Sequence, residues 1–202
     1  MKVNEDWTKA SPTLISSRIK KAGMSERKCR LFCIACCNKV RKQIKHEDCL
    51  RLLELTEAWV EKPELATEVA RLRRVVIRWA NTIHRSARSD EDWFARFSVW
   101  CASAPKIVPP VQGFLRTKIF HPFLREIFGD LFHPVIFEPG WQSVAAVGVA
   151  QAMYDEGDFS AMPILADALE EAGCSDPQVV SHCREKGEHV RGCWVVDLVL
   201  SK

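Results

Sequence analysis

Apolar residues recur along this chain at i, i+3, i+4 and i+7, the spacing of one helix face, and the pattern predicts helices from end to end. Ser11-Pro12 reads as an N-cap with proline at the first helical position and opens a helix to about Lys21. Ser25 caps the next, over 26–44, and a third covers Glu47 to Glu61. Pro63 begins a fourth, over 63–86, with Leu65, Val69, Leu72, Val76 and Trp79 turned inward. Trp93, Phe94, Phe97 and Trp100 recur at similar spacing over 91–102, before Pro105, Pro109 and Pro110 interrupt the pattern.

The second half continues in shorter pieces. A short helix is predicted near 111–117 and another over 121–128, closed by Gly129; an apolar, proline-bounded stretch then covers 131–140. Helices follow over 141–154, where Ala146, Gly148 and Ala150 permit close approach, over 159–172, ended by Gly173, and from Asp176-Pro177 to about Arg184. The run Gly187 to Leu200, with Trp194 and several branched aliphatics, reads as a last helix docked in the core. The expected fold is all-α: a multi-helix bundle or an irregular array of helical hairpins, with one extended segment near 131–140. Two helical parts, 1–104 and 111–202, are expected to pack as one compact unit.

Composition changes this picture little. An apolar share of 47% over 202 residues suits a globular chain, and no run of about 18 apolar residues marks a membrane span. The N-terminal residues carry acids and no apolar core of a signal peptide, so a cytoplasmic protein is expected. Nine cysteines, an odd number at uneven spacing, point to reduced thiols rather than a disulfide framework. Charge is asymmetric: residues 1–46 hold twelve Lys and Arg against three Asp and Glu, and the remainder seventeen against twenty-three. That basic part expects an acidic partner, or packs on the acidic remainder.

Cys29, Cys33, Cys36 and Cys37 fall within one arc of the second helix together with Val40 and Ile44. They are read first as the apolar face of an amphipathic helix, with metal binding or redox chemistry as alternatives. Near the other end, His182, Cys183, His189 and Cys193 form a metal-ligand set of the type zinc takes, with Cys174, Cys36 or Cys37 as further members. His189 and Cys193 are four apart and would share a face of a helix, although Gly192 lies between them. Against the zinc reading stands a plainer one, a buried thiol beside a histidine bonded to a carbonyl. Arg191, Trp194 and Asp197 are assigned structural roles: Arg191 on the carbonyls ending a preceding helix, Trp194 in the core, Asp197 as a buried carboxylate.

The chain resembles a family of short helical proteins abundant as paralogues in planctomycete bacteria. The likeness lies in ERKCRLFCIACC at 26–37, LREIFG at 124–129 with FHPV at 132–135, AQAMYDE at 150–156, PILADALEEAGC at 163–174 and HVRGCWVVD at 189–197. It departs at Glu188, where the family has proline, and at Cys29, where leucine is usual; the latter counts against Cys29 as a ligand. The resemblance implies an all-helical fold and brings no activity, cofactor or catalytic residue with it.

No nucleophile elbow, phosphate loop or His-Glu-x-x-His pattern occurs, so the chain is not expected to be an enzyme. A non-catalytic protein-interaction or regulatory module without a cofactor is the first expectation. Two alternatives are a nucleic-acid binder using Lys20, Lys21, Arg27, Lys28, Arg30, Lys39, Arg41, Lys42 and Lys45, and a zinc-stabilised module using the 182–193 cluster.

Overall fold

The computed structural model describes residues 11–22, 25–83, 99, 103, 104 and 118–202, of which 80–83 and 118 are described in backbone only. The chain is all-α: nine α-helices joined by short 3-10 turns, with no strand, among the described residues. It divides into two compact units, Met1–Phe123 and Leu124–Lys202. The proline-rich break at 105–110, the aromatic stripe at 93–100 and the helix expected over 111–117 lie outside the described residues.

In the first unit, α1 (Pro12–Lys21) begins where the Ser11 hydroxyl accepts from the Leu14 N–H, and α2 (Glu26–Lys39) where Ser25 accepts from Lys28, each at 3.2 Å. A 3-10 turn ends α2 five residues before the expected end at Ile44. Next come α3 (Glu47–Glu61) and α4 (Ala66–Ile83), with α2 packed on α3 and α3 on α4. The expected amphipathic character of α2 is not what the structure shows. Every residue from Cys29 to Cys37 is buried, so the helix is covered all round and the cysteines are core on every side.

Across the division lies α5 (His121–Phe128), which contributes Leu124, Glu126, Ile127 and Phe128 to the second unit. Asp130 then makes a tight turn, its Oδ1 accepting from the Phe132 and His133 N–H groups. Residues 134–138 run without regular structure, Val135 and Phe137 against the core and Ile136 87% exposed. Trp141 sits buried in a 3-10 turn rather than in a helix, because Ser143 is the cap of α6 (Val144–Glu156). Along α6 the close-packed positions are Ala146 and Ala150; Gly148 faces open space.

Helices α7 (Met162–Glu171), α8 (Pro177–Arg184) and α9 (Trp194–Val199) complete the second unit. Asp176 caps α8, accepting from Gln178 and Val179. Helix α9 is only six residues long and packs between α6 and α8, burying Val195, Val196 and Val199. Its last carbonyls are met by Gln142, whose Nε2 donates to Leu198 and Val199. Each such buried aliphatic contributes about 1.5–3 kcal/mol, enough to seat a helix too short to form alone.

Candidate functional site

The second unit gathers four side chains whose polar atoms lie within 4.8 Å of one another: Glu126, His182, His189 and Cys193. Glu126 comes from α5, His182 from α8, and the other two from the irregular segment leading into α9. Glu126 Oε2 stands 3.1 Å from His189 Nδ1 and 3.2 Å from His182 Nε2. The same His182 nitrogen is 3.2 Å from Cys193 Sγ. Oε1, the other carboxylate oxygen, accepts the main-chain N–H of Val190 at 3.1 Å, which fixes the group's orientation.

Local chain geometry explains how His189 and Cys193 reach this point. The segment from Gly187 to Cys193 is not helical, contrary to the expectation of a shared helix face. The chain instead turns at Arg191-Gly192, closed by Cys193 N–H donating to the Val190 carbonyl, with Gly192 at φ +96°. L side chains rarely adopt that conformation, so the glycine between the two side chains is what lets them converge. Cys193 then occupies the N-cap position of α9.

All four groups are sequestered. Cys193 is 0% exposed, and the side chains of Glu126, His189 and His182 are 6%, 8% and 12% exposed. Burial by itself raises the Glu126 carboxyl, yet the hydrogen bonds and charges of His182 and His189 overcome it and hold the group down at about 2. Burial likewise works against a charged His189, but the Glu126 hydrogen bond and charge, joined by Glu185, raise it above its ordinary value. Cys193 is pushed well up by burial and by the Glu126 charge, with the main-chain N–H groups of Val196 and Val195 opposing. His182 also packs its ring against His189, at 5.1 Å between centroids, and against Trp194 at 5.3 Å.

Cys183 is not part of this set. It follows His182 on α8, and successive helical residues point about 100° apart. The thiol is turned into the apolar core with Cys174 and Val179, and burial drives it up to about 12. Cys174 is likewise a core thiol outside the group, and Cys36 and Cys37 belong to the first unit. Glu126 is the member of the group that no sequence motif marks. A signal for it existed: in α5 it lies among Phe123, Leu124, Ile127 and Phe128, all buried, where a surface acid has no place.

The three structural residues are placed as follows. The Arg191 guanidinium donates to the Tyr154 carbonyl in the last turn of α6 at 3.0 Å and lies over the Tyr154 ring. Trp194 is buried against Gly129, and Asp197 is 1% exposed in α9.

The proposed basic face is reduced by the structure. Arg30 is 5% exposed, stacked 3.9 Å over the Trp59 ring, and donates to the Ala104 carbonyl at 2.9 Å; it is a core residue and not a surface contact. Arg27 pairs with Glu61, Arg41 with Glu54, and Lys45 Nζ donates to the Lys42 carbonyl. Lys20, Lys21, Lys39 and Lys42 are exposed, and Lys28 is half-buried.

No protein-family model, curated protein or solved structure matches this chain. Among the described residues, no helix is long and apolar enough to cross a membrane.

Proposed function

We propose that the chain is a non-catalytic helical module that acts in the cytoplasm by binding another protein. One observation supports this reading most: where the four side chains converge, the carboxylate and the thiol are buried, and the two imidazoles border open space only by an edge. A general base or nucleophile must come within about 3 Å of a reacting atom. Two hollows beside the cluster touch it only at its edges. One, of about 70 Å³, is bordered by His182 with Arg125, Gln178 and Trp194, and the other, of about 390 Å³, by His189 with Gly157 and Phe159. Neither is lined by Glu126 or Cys193, and without a cation burial pushes the Cys193 thiol well up, toward its unreactive protonated form.

A protein partner is favoured over nucleic acid because three of the nine expected phosphate contacts are spent inside the fold, Arg30 in the core and Arg27 and Arg41 in ion pairs. The test is cross-linking of the tagged chain in cells, with mass spectrometry of the adducts, alongside a mobility-shift assay at low salt. A single recurrent protein adduct with no shift of duplex or single-stranded nucleic acid is the expected outcome. A salt-sensitive shift, or a turnover abolished by Cys193→Ser, overturns the proposal.

A further inference from the structure

We infer that Glu126, His182, His189 and Cys193 form a closed, four-coordinate site for one divalent transition-metal ion, with zinc the ion their chemistry suits best. The inference does not depend on what partner the module binds.

The distances agree with such a site. Zinc bonds of about 2.0–2.3 Å in a tetrahedron set ligand-to-ligand edges of about 3.3–3.7 Å. Three edges, from Glu126 Oε2 to His189 Nδ1 and His182 Nε2, and from His182 Nε2 to Cys193 Sγ, are 3.1, 3.2 and 3.2 Å. The other three edges lie within 4.8 Å, so a cation drawing the four atoms round itself closes the longest of them by at most about an ångström.

Hydrogen bonding alone accounts poorly for the same arrangement. The His182 Nε2 stands 3.2 Å from both Glu126 Oε2 and Cys193 Sγ, and one ring nitrogen, whether donor or acceptor, can serve only one of them. Glu126 Oε2 faces both imidazoles and can accept from each, so the shortfall lies at His182 Nε2. A central cation satisfies all of these atoms at once.

Charge balance gives a second, separate reason for a divalent ion. A Cys193 thiolate and a Glu126 carboxylate carry two negative charges, and both imidazoles bind neutral. A doubly charged cation leaves a buried site with no net charge, which is the condition for keeping ions out of water at tolerable cost. One thiolate, two imidazoles and one carboxylate are the mixed, borderline donors that zinc accepts in tetrahedral sites.

The surroundings are those of a structural rather than an open site. The Val190 N–H holds the free oxygen of Glu126 and so orients the carboxylate, as outer-shell donors do around bound metals. All four ligands come from protein and none is more than 12% exposed, so a tetrahedral ion here keeps no coordination position open to water or substrate. The ion would tie α5, α8 and the 187–193 segment together, across 67 residues of chain from Glu126 to Cys193.

The test uses the full chain purified without a metal-affinity tag and under reducing conditions. Elemental analysis is expected to find about one equivalent of zinc. After chelation, cobalt(II) added to the metal-free chain is expected to give tetrahedral ligand-field bands and a thiolate charge-transfer band. Cys193→Ser should remove the charge-transfer band, and Glu126→Gln should weaken uptake at least tenfold. Cys183→Ser should bind as the parent does. Should the cysteine variant fail to fold, the cobalt spectrum of the parent chain and the nearly isosteric Glu126→Gln decide the matter. A metal-free chain that stays folded and takes up neither ion, octahedral cobalt bands, or loss of uptake in Cys183→Ser equal to that in Cys193→Ser would each overturn the assignment.

Discussion

Glu126 and His189 stand 63 residues apart in the chain and 3.1 Å apart in the fold, with the same carboxylate oxygen shared by His182. This contact joins the first helix of the second unit to the segment that turns into its last, and the stability of the unit should follow the protonation of the pair.

In the chelated protein the two partners act on opposite sides of neutrality. Glu126 is held at about 2 against an ordinary 4.5, so its contribution is fully present above pH 4.5 and is lost as pH falls from there toward 2. His189 is raised above 6.5, so its contribution is present below 6.5 and is lost as pH rises through the higher folded value. Their joint contribution should therefore be greatest between 4.5 and 6.5. The acid-side loss should be on the order of 3 kcal/mol. Urea midpoints between about pH 3 and about pH 8 check this, and Glu126→Gln should flatten both limbs. An unchanged profile in that variant would sink the claim.

Gly129 and Gly157 offer a matched pair for separating backbone strain from packing. Their φ angles are alike, +65° and +70°, but an added Cβ meets the Trp194 ring at 3.2 Å in the first and only the flexible end of Arg191, at 3.7 Å, in the second. Gly157→Ala should cost about 1 kcal/mol, the left-handed penalty alone. Gly129→Ala should cost a further ~1–3 kcal/mol, because the indole is buried and cannot yield without disturbing α9. Denaturant midpoints of the two variants measure the difference, and equal losses would show that the ring gives way freely.

Arg30 should behave as a core residue. Arg30→Ala removes the stacking on Trp59 and the hydrogen bond to Ala104, and is expected to destabilise the first unit by roughly 2–4 kcal/mol. Arg30→Lys should recover only part of this, since an ammonium lacks the planar face and fork of the guanidinium. Thermal melts report the loss. A variant with parent stability would place the side chain at the surface after all.

The thiols should be inert until the chain unfolds. All eight described cysteines are buried thiols outside any disulfide, with Cys29 pushed to about 11 and Cys183 to about 12 by burial. A disulfide reagent added to native protein at neutral pH should modify these eight slowly, at the rate of opening, and all nine cysteines of the chain promptly in denaturant. Prompt labelling of Cys36 or Cys193 in the native state, located by peptide mapping, would contradict their burial.

Much of the fold was legible from local chemistry. Ser11-Pro12, Ser25 and Asp176-Pro177 each start a helix where expected, because a cap answers N–H groups only two or three residues ahead. The all-α class follows from the same short-range rules. Errors arose where packing outranked periodicity. Four cysteines on one arc predicted a half-exposed α2, yet neighbours cover every side of it from Cys29 to Cys37, and Arg30 goes inward because Trp59 and the Ala104 carbonyl receive it.

The candidate site divides in the same way. His182, His189 and Cys193 draw notice in the sequence because imidazoles and thiols are rare and lie within twelve residues there. Nothing local told Cys183 from Cys193, or marked Glu126 as the fourth member. Helix phase turns Cys183 away, the left-handed Gly192 folds Cys193 back, and the seating of α5 brings in Glu126 from 63 residues away. By itself the sequence determined the all-α class and the capped helix starts at Ser11, Ser25 and Asp176, since capping and periodicity act over about four residues. Only the tertiary structure decided which polar side chains meet, because that depends on how separate elements pack and on loop conformations that no local pattern encodes.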